Sequence, residues 1–209
     1  RRLSELDAIW SGIDKIEPAF GWIYFGTEGG VHRRLPGGDQ GRGYDPTIRP
    51  WYLRAKALPN ALVVSAPYTD FSGLGRVVTL AHTVPRRTRD VNIGGVIGLD
   101  FQFPAFNAIM HGNSSACAGG QRASCFSIES SGLLVSSEVA RHGVLTSETA
   151  VFVGDVEPGV TQALVDSGFL EQQTYIDFSE QKRCVSYKTN TGALDKVAAL
   201  SVSTCGVGI

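Results

Sequence analysis

The segment Tyr44-Asp45-Pro46-Thr47-Ile48-Arg49-Pro50-Trp51-Tyr52 concentrates chemistry: its nine residues hold two tyrosines, a Trp, an Arg and two prolines. Proline fixes φ and biases the residue before it toward extended backbone, so Pro46 and Pro50 stiffen a loop that presents aromatics and a cation. A stiff loop loses little entropy when it binds a small molecule. The planar fork of Arg49 suits a carboxylate, to which it donates two parallel hydrogen bonds. The same residues also read as structure, with Trp51 and Tyr52 as core anchors and Arg49 paired with an acid. Other chemical signals are weak. There is no GxSxG, HExxH, Walker or EF-hand loop. Gly73-Leu74-Gly75 sits between two strand candidates and reads as a hairpin turn. His32, His82, His111 and His142 are scattered singly and read as surface or packing residues. No nucleophile is paired with an activating base, so the residues point to binding without catalysis, cofactor or metal.

Composition narrows the setting. The 209 residues suit one large domain or two small modules. A net charge of -1 argues against a nucleic-acid partner, whose footprint is a basic excess. No apolar run reaches the ~18 residues of a membrane helix. The chain starts at Arg1 and has one Met, Met110, which reads as a piece of a longer protein. Gly makes up about 12% of the residues against a usual ~7%, which predicts tight turns and short strands. Cys117, Cys125, Cys184 and Cys205 form an even set without a CxxC, as in a secreted domain. Cys117–Cys125 and Cys184–Cys205 are the favoured pairs; four free buried thiols are the alternative. Asn113-Ser114-Ser115 is a glycosylation sequon at Asn113, which also fits an extracellular setting.

The elements that must position these residues follow from periodicity. Leu3, Leu6, Ile9, Trp10, Ile13 and Ile16 recur at helical spacing, and Pro18 ends the run. Phe20 to Phe25 and Val31 to Leu35 read as a hairpin around Gly29-Gly30. A short helix follows through Lys56, then strands at Ala61 to Ala66, Arg76 to Val84 and Asn92 to Phe101, then a helix from Phe103 to Met110. The small-residue loop His111 to Ala123 reads as a boundary. Beyond it, Ser124 to Glu129 and Leu133 to Ser137 flank a hairpin signal. Val160 to Val165 reads as a helix, and Phe169 to Phe178, Arg183 to Thr189 and Lys196 to Thr204 as strands. Connections this short favour antiparallel pairing. The fold class is α+β: a helix over 1–18, one antiparallel-sheet module over 19–110 and a second over 111–209.

Residues 44–52 resemble the signature of double Cache (dCache) sensor domains, the extracellular, PAS-like modules of bacterial chemoreceptors. Their eukaryotic branch includes calcium-channel alpha-2-delta subunits and von Willebrand-A-and-Cache proteins. Val64-Ser65-Ala66-Pro67-Tyr68-Thr69-Asp70 resembles the family's S-x-P-Y-x-D strand end. Val77 to Val84, Gly95 to Phe101 and Cys125 to Gly132 resemble its later strands and second-module hairpin. The likeness is specific over residues 44–101 and loose after about residue 140. It implies a double Cache fold and, for the subset that binds free amino acids, a ligand set. In that subset Tyr44, Arg49 and Trp51 hold the carboxylate, while Tyr52, Tyr68, Asp70 and Asp100 surround the ammonium. A zwitterion needs both, because an unpaired buried charge costs several kcal/mol.

Two readings follow. One is an extracellular sensor module for a free α-amino acid or related amine, reaching the membrane only through segments outside the chain. The other is a structural Cache domain of a channel-subunit-like or receptor-like protein, with a pocket that does not function. Side-chain selectivity is expected from Gly26–Gly43 and near Phe71. Within that stretch Arg33, Arg34 and Arg42 read as solvated loop charges, with preference for an acidic ligand as the alternative.

Overall fold

Phe20–Thr27 (β1) and His32–Leu35 (β2) form the hairpin that Gly29-Gly30 predicts. The structure is a computed structural model that describes residues 5–11, 20–38, 43–85, 93–112, 125–129, 131–137, 150–179, 182–189 and 201–205. Gly30 takes φ 78°, a left-handed conformation that only glycine adopts freely. Val63–Val64 (β3), Tyr68–Thr69 (β4), Arg76–Val84 (β5) and Gly95–Gln102 (β6) complete a six-stranded antiparallel sheet. Its order is β2-β1-β6-β5-β3, with β4 also on β5. The strand expected over Ala61 to Ala66 is only the two residues of β3. Pro67 has no N–H for the ladder. Just before it, Ser65 still meets β5: its N–H donates to the Thr79 carbonyl at 2.9 Å, and its hydroxyl accepts from the Thr79 N–H at 2.9 Å.

Alternation along the strands separates two faces. Tyr24, Ala81 and Val96 lie under Pro50–Ala57 (α2), which buries Trp51, Tyr52 and Ala55 against them. Val78 and Phe101 point the other way, onto Phe106 of Phe103–Gly112 (α3) and Val135. Glu5–Trp10 (α1) is bound to the sheet's edge, where the Arg33 guanidinium pairs with both oxygens of Asp7. Residues 1–4 and 12–18 of the expected N-terminal helix lie outside the described residues.

The later residues build smaller sheets. Phe126–Ile128 (β7) pairs with Leu134–Ser137 (β8), as the hairpin signal predicts. Val153–Val156 (α4) and Pro158–Asp166 (α5) precede a three-stranded antiparallel sheet of Leu170–Asp177 (β9), Lys182–Thr189 (β10) and Ser201–Cys205 (β11). Phe103 packs into the cores of both halves. The Arg54 guanidinium of α2 pairs with Glu129 beside β7. Cys125 and Cys184 are disulfide-bonded, so the free-thiol alternative fails for both. Cys184 stands opposite Cys205 in the β10–β11 register. Cys117, Asn113 and the boundary loop from residue 113 onward lie outside the described residues.

Two glycines let the first sheet carry large rings. A Cβ on Gly98 would lie 2.2 Å from the Tyr24 ring, and one on Gly26 would lie 2.8 Å from Pro46 and 3.0 Å from Trp51. Gly98→Ala is therefore expected to destabilise the protein by ~1–3 kcal/mol through overpacking. Urea unfolding checks this against Gly37→Ala, where nothing lies within 4 Å of the added carbon.

Candidate ligand-binding site

β1 and β2 each present one alternate set of side chains to the α2 side of the sheet. Trp22 and Tyr24 come from β1, and His32 and Arg34 from β2, with Tyr24 directly opposite Arg34. On the neighbouring strands Thr79 stands opposite Asp100. The Tyr44–Tyr52 segment closes over this floor. Asp45 accepts hydrogen bonds from the Thr47 N–H (2.8 Å) and hydroxyl (2.7 Å), starting a 3-10 turn, Pro46–Ile48. Arg49 then caps α2 in extended backbone, and Pro50 opens the helix. Each proline sits at a first helical position, where its missing N–H costs nothing.

The cavity so formed is lined by Trp22, Tyr24, His32, Arg34, Tyr44, Arg49, Trp51, Tyr68, Asp70, Phe71, Ser72 and Asp100. Six of the seven residues singled out in the sequence are therefore brought together. Tyr52 is the exception. It is next to Trp51 on the helix and so turns about 100° away. Its hydroxyl donates to Glu28 at 2.6 Å, and Lys56 donates to the same carboxylate at 2.8 Å. Burial and Glu28 both raise the Tyr52 hydroxyl's pKa. Trp22 and Tyr24 escaped notice in the sequence, although period-two alternation within Phe20 to Phe25 places both on one face. Phe71 and, from the Gly26–Gly43 stretch, His32 and Arg34 also line the cavity. Arg34 is thus not the solvated loop charge read from the sequence, because pairing of β2 with β1 turns it inward and buries its Nε and Nη1. Arg42 lies outside the described residues.

The charges are arranged unusually. Asp100 is 1% exposed. Its Oδ1 accepts from the Tyr24 and Thr79 hydroxyls, both at 2.6 Å, and the Tyr68 hydroxyl lies 2.7 Å from Thr79 Oγ1. Burial pushes the Asp100 carboxyl up to about 7, against those two hydrogen bonds, which lower it. Asp70 Oδ2 accepts from the Ser72 and Leu74 N–H groups at 2.9 and 3.0 Å and from Trp22 Nε1 at 3.4 Å. Among the described residues, Asp100 Oδ2 and Asp70 Oδ1 have no hydrogen-bond partner. Arg49 likewise has no ion pair among them. Its guanidinium carbon lies 5.8 and 5.7 Å from the Tyr44 and Phe71 ring centres. Those rings are 5.2 Å apart, and Phe71 is 50% exposed. Burial raises the Tyr44 hydroxyl to about 12, against a hydrogen bond from Trp51. As the side chains stand, the free space is about 10 Å³, room for one water. Among the described residues no cluster of metal-ligating side chains occurs. No described helix is long and apolar enough to cross a membrane.

No family model matches the chain. A VWFA and cache domain-containing protein of Drosophila melanogaster is 43% identical over 61 residues, 29% of this chain and 4% of that protein. The methyl-accepting chemotaxis protein PscA of Pseudomonas syringae is 30% identical over 100 residues, 48% of this chain and 15% of PscA. These matches thus span a small part of each relative. Among solved structures, the ligand-binding domain of the Pseudomonas fluorescens chemoreceptor CtaA, in complex with L-leucine, superposes with a TM-score of 0.51 at 17% identity. That match covers 92% of this chain and 73% of the domain. The chain therefore has the mixed helix and antiparallel-sheet fold of chemoreceptor ligand-binding domains. The Cache resemblance read from residues 44–101 has a counterpart both in local sequence similarity and in fold.

The raised Asp100 pKa has a thermodynamic consequence. The unfolded carboxyl ionises near the ordinary 3.8 and the folded one near 7, so between these values the folded state holds the extra proton. Its contribution to stability is full below pH 4 and is lost as pH rises to 7. Asp7, Glu28 and Asp45, whose pKa values are lowered, act in the opposite sense. The expected result is a stability difference, wild type minus Asp100→Asn, that falls from pH 4 to pH 7 and is flat above. Urea unfolding across that range measures it.

Proposed function

We propose that the chain is an extracellular ligand-binding sensor module and that its cavity captures a free α-amino acid or a closely related amine. The observation that supports this reading is the set of unpaired charges in one cavity: Arg49 without an acid, and Asp70 and Asp100 each with a free oxygen. A folded protein pairs such groups internally when nothing else is to pair with them. A zwitterion carries both complementary charges a few Å apart. In this reading Arg49, with Tyr44 and Trp51, holds the carboxylate. Asp70 Oδ1 and Asp100 Oδ2 take the ammonium, and the Tyr68 and Trp51 rings exclude water and add cation–π attraction of roughly 0.5–2 kcal/mol. Tyr24 and Thr79 orient Asp100 by occupying its other oxygen. Tyr52 buttresses α2 through Glu28. The CtaA domain, with the same fold, is a complex with L-leucine. Entry of a ligand requires Tyr44, Phe71 and Arg49 to move apart.

One observation favours a second reading. The free space of about 10 Å³ is what a scaffold domain with a filled pocket would show. The two readings separate in a melting experiment with the natural amino acids at millimolar concentration. A ligand at a hundredfold excess over Kd stabilises by about 2.7 kcal/mol, a Tm rise of several degrees. At least one amino acid is expected to give that rise in wild type and none in Arg49→Ala. No rise with any of them in wild type would favour the scaffold.

Binding is also expected to depend on pH. The ammonium prefers the ionised Asp100, so affinity should weaken as pH falls below about 7, by up to about tenfold per unit. Calorimetric titration at pH 5.5 and 8 checks the sign. Asp100→Asn should bind weakly at both values, with the dependence gone.

A further inference from the structure

Arg34 is a second cation of this cavity. It stands on β2 opposite Tyr24, one residue from the Arg33 that pairs with Asp7 on the other face. Its guanidinium lies over the Trp22 ring, with its carbon 4.2 Å from the ring centre. Its Nε and Nη1 are buried and make no hydrogen bond among the described residues. No acid among them forms an ion pair with it. Gly38 leaves room for the head group, since a Cβ there would lie 2.6 Å from Arg34 Nη2.

The charges lining the cavity are thus two cations, Arg34 and Arg49, and two anions, Asp70 and Asp100. A simple zwitterion uses the anions for its ammonium and one cation for its carboxylate. It leaves the buried N–H groups of Arg34 unsatisfied. Asp70 does not compensate them, because it forms no ion pair with Arg34. A planar guanidinium over an indole, with buried N–H groups that make no hydrogen bond, fits a second carboxylate. We infer that Arg34 reads the ligand's side chain and that the site prefers an amino acid whose side chain carries a carboxylate. This inference rests on the amino-acid reading given under Proposed function.

The test is calorimetric titration of the chain with L-glutamate, L-aspartate, L-glutamine and L-alanine at pH 7.5. One of the acidic ligands is expected to bind at least about tenfold tighter than glutamine and alanine, the size of a charge-assisted hydrogen bond. Arg34→Gln and Arg34→Met, the second keeping an apolar stem on Trp22, should each bring that ligand to within a few-fold of alanine measured on the same variant. Amino acids that bind wild type without an acidic preference, or a preference that survives both substitutions, would overturn the role of Arg34 and leave the amino-acid site standing. If none of the four, nor any other amino acid, binds to wild type, the amino-acid reading itself falls and this inference with it.

Discussion

Asp100 lies on β6 in the interior of a six-stranded sheet, and a carboxylate there must be hydrogen-bonded, protonated or matched by a cation. The chain supplies hydrogen bonds to one oxygen only. Tyr24 reaches it from β1 and Thr79 from β5, and Tyr68 reaches Thr79 from the edge. Four strands are thereby tied to one carboxylate. Gly98, opposite Tyr24, keeps the space that the Tyr24 ring occupies. The second oxygen is left for a proton or for a ligand's ammonium, which is why burial raises this group's pKa so far.

The elements that close the cavity also hold the rest of the molecule. α2 brings Trp51 to the cavity on one side, while Tyr52 and Lys56 grip Glu28 in the β1–β2 turn. One turn further on, Arg54 reaches Glu129 beside the β7–β8 hairpin. β2 shows the same division: Arg34 faces the cavity and Arg33 holds Asp7 of α1. The two elements that line the cavity are therefore bonded directly to the second half and to the N-terminal helix. Arg54–Glu129 is largely buried, and breaking one partner of such a pair is strongly unfavourable. The Pro50 start of α2 and the Asp45-capped turn before it fix the helix's entry angle.

Much of this was legible in the sequence. The period-two strands, the glycine turns and the density of residues 44–52 led to the α+β sheet, the hairpins and six of the cavity's residues. Three things were not legible, each for a physical reason. Tyr52 has the same chemistry as Tyr44, and only the helical turn around Trp51 sends it to Glu28. Trp22 and Tyr24 looked like ordinary apolar strand residues, because their polar atoms acquire meaning only from Asp70 and Asp100, about fifty and eighty positions later. Alternation within Val31 to Leu35 separates Arg33 from Arg34, but only the pairing with β1 shows that Arg34 is the one on the cavity face. Local pattern identifies the face of a strand, whereas the partner across the sheet comes from long-range pairing.

Arg49, Asp70 and Asp100 line one cavity without pairing with one another, which suits a zwitterion. A crystal structure of protein soaked with the amino acid that most raises its Tm tests it most directly. The expected density has an ammonium within hydrogen-bond distance of Asp70 Oδ1 and Asp100 Oδ2, and a carboxylate on the Arg49 fork. Arg49 salt-bridged to Asp70 or Asp100 across a closed, empty cavity would contradict it.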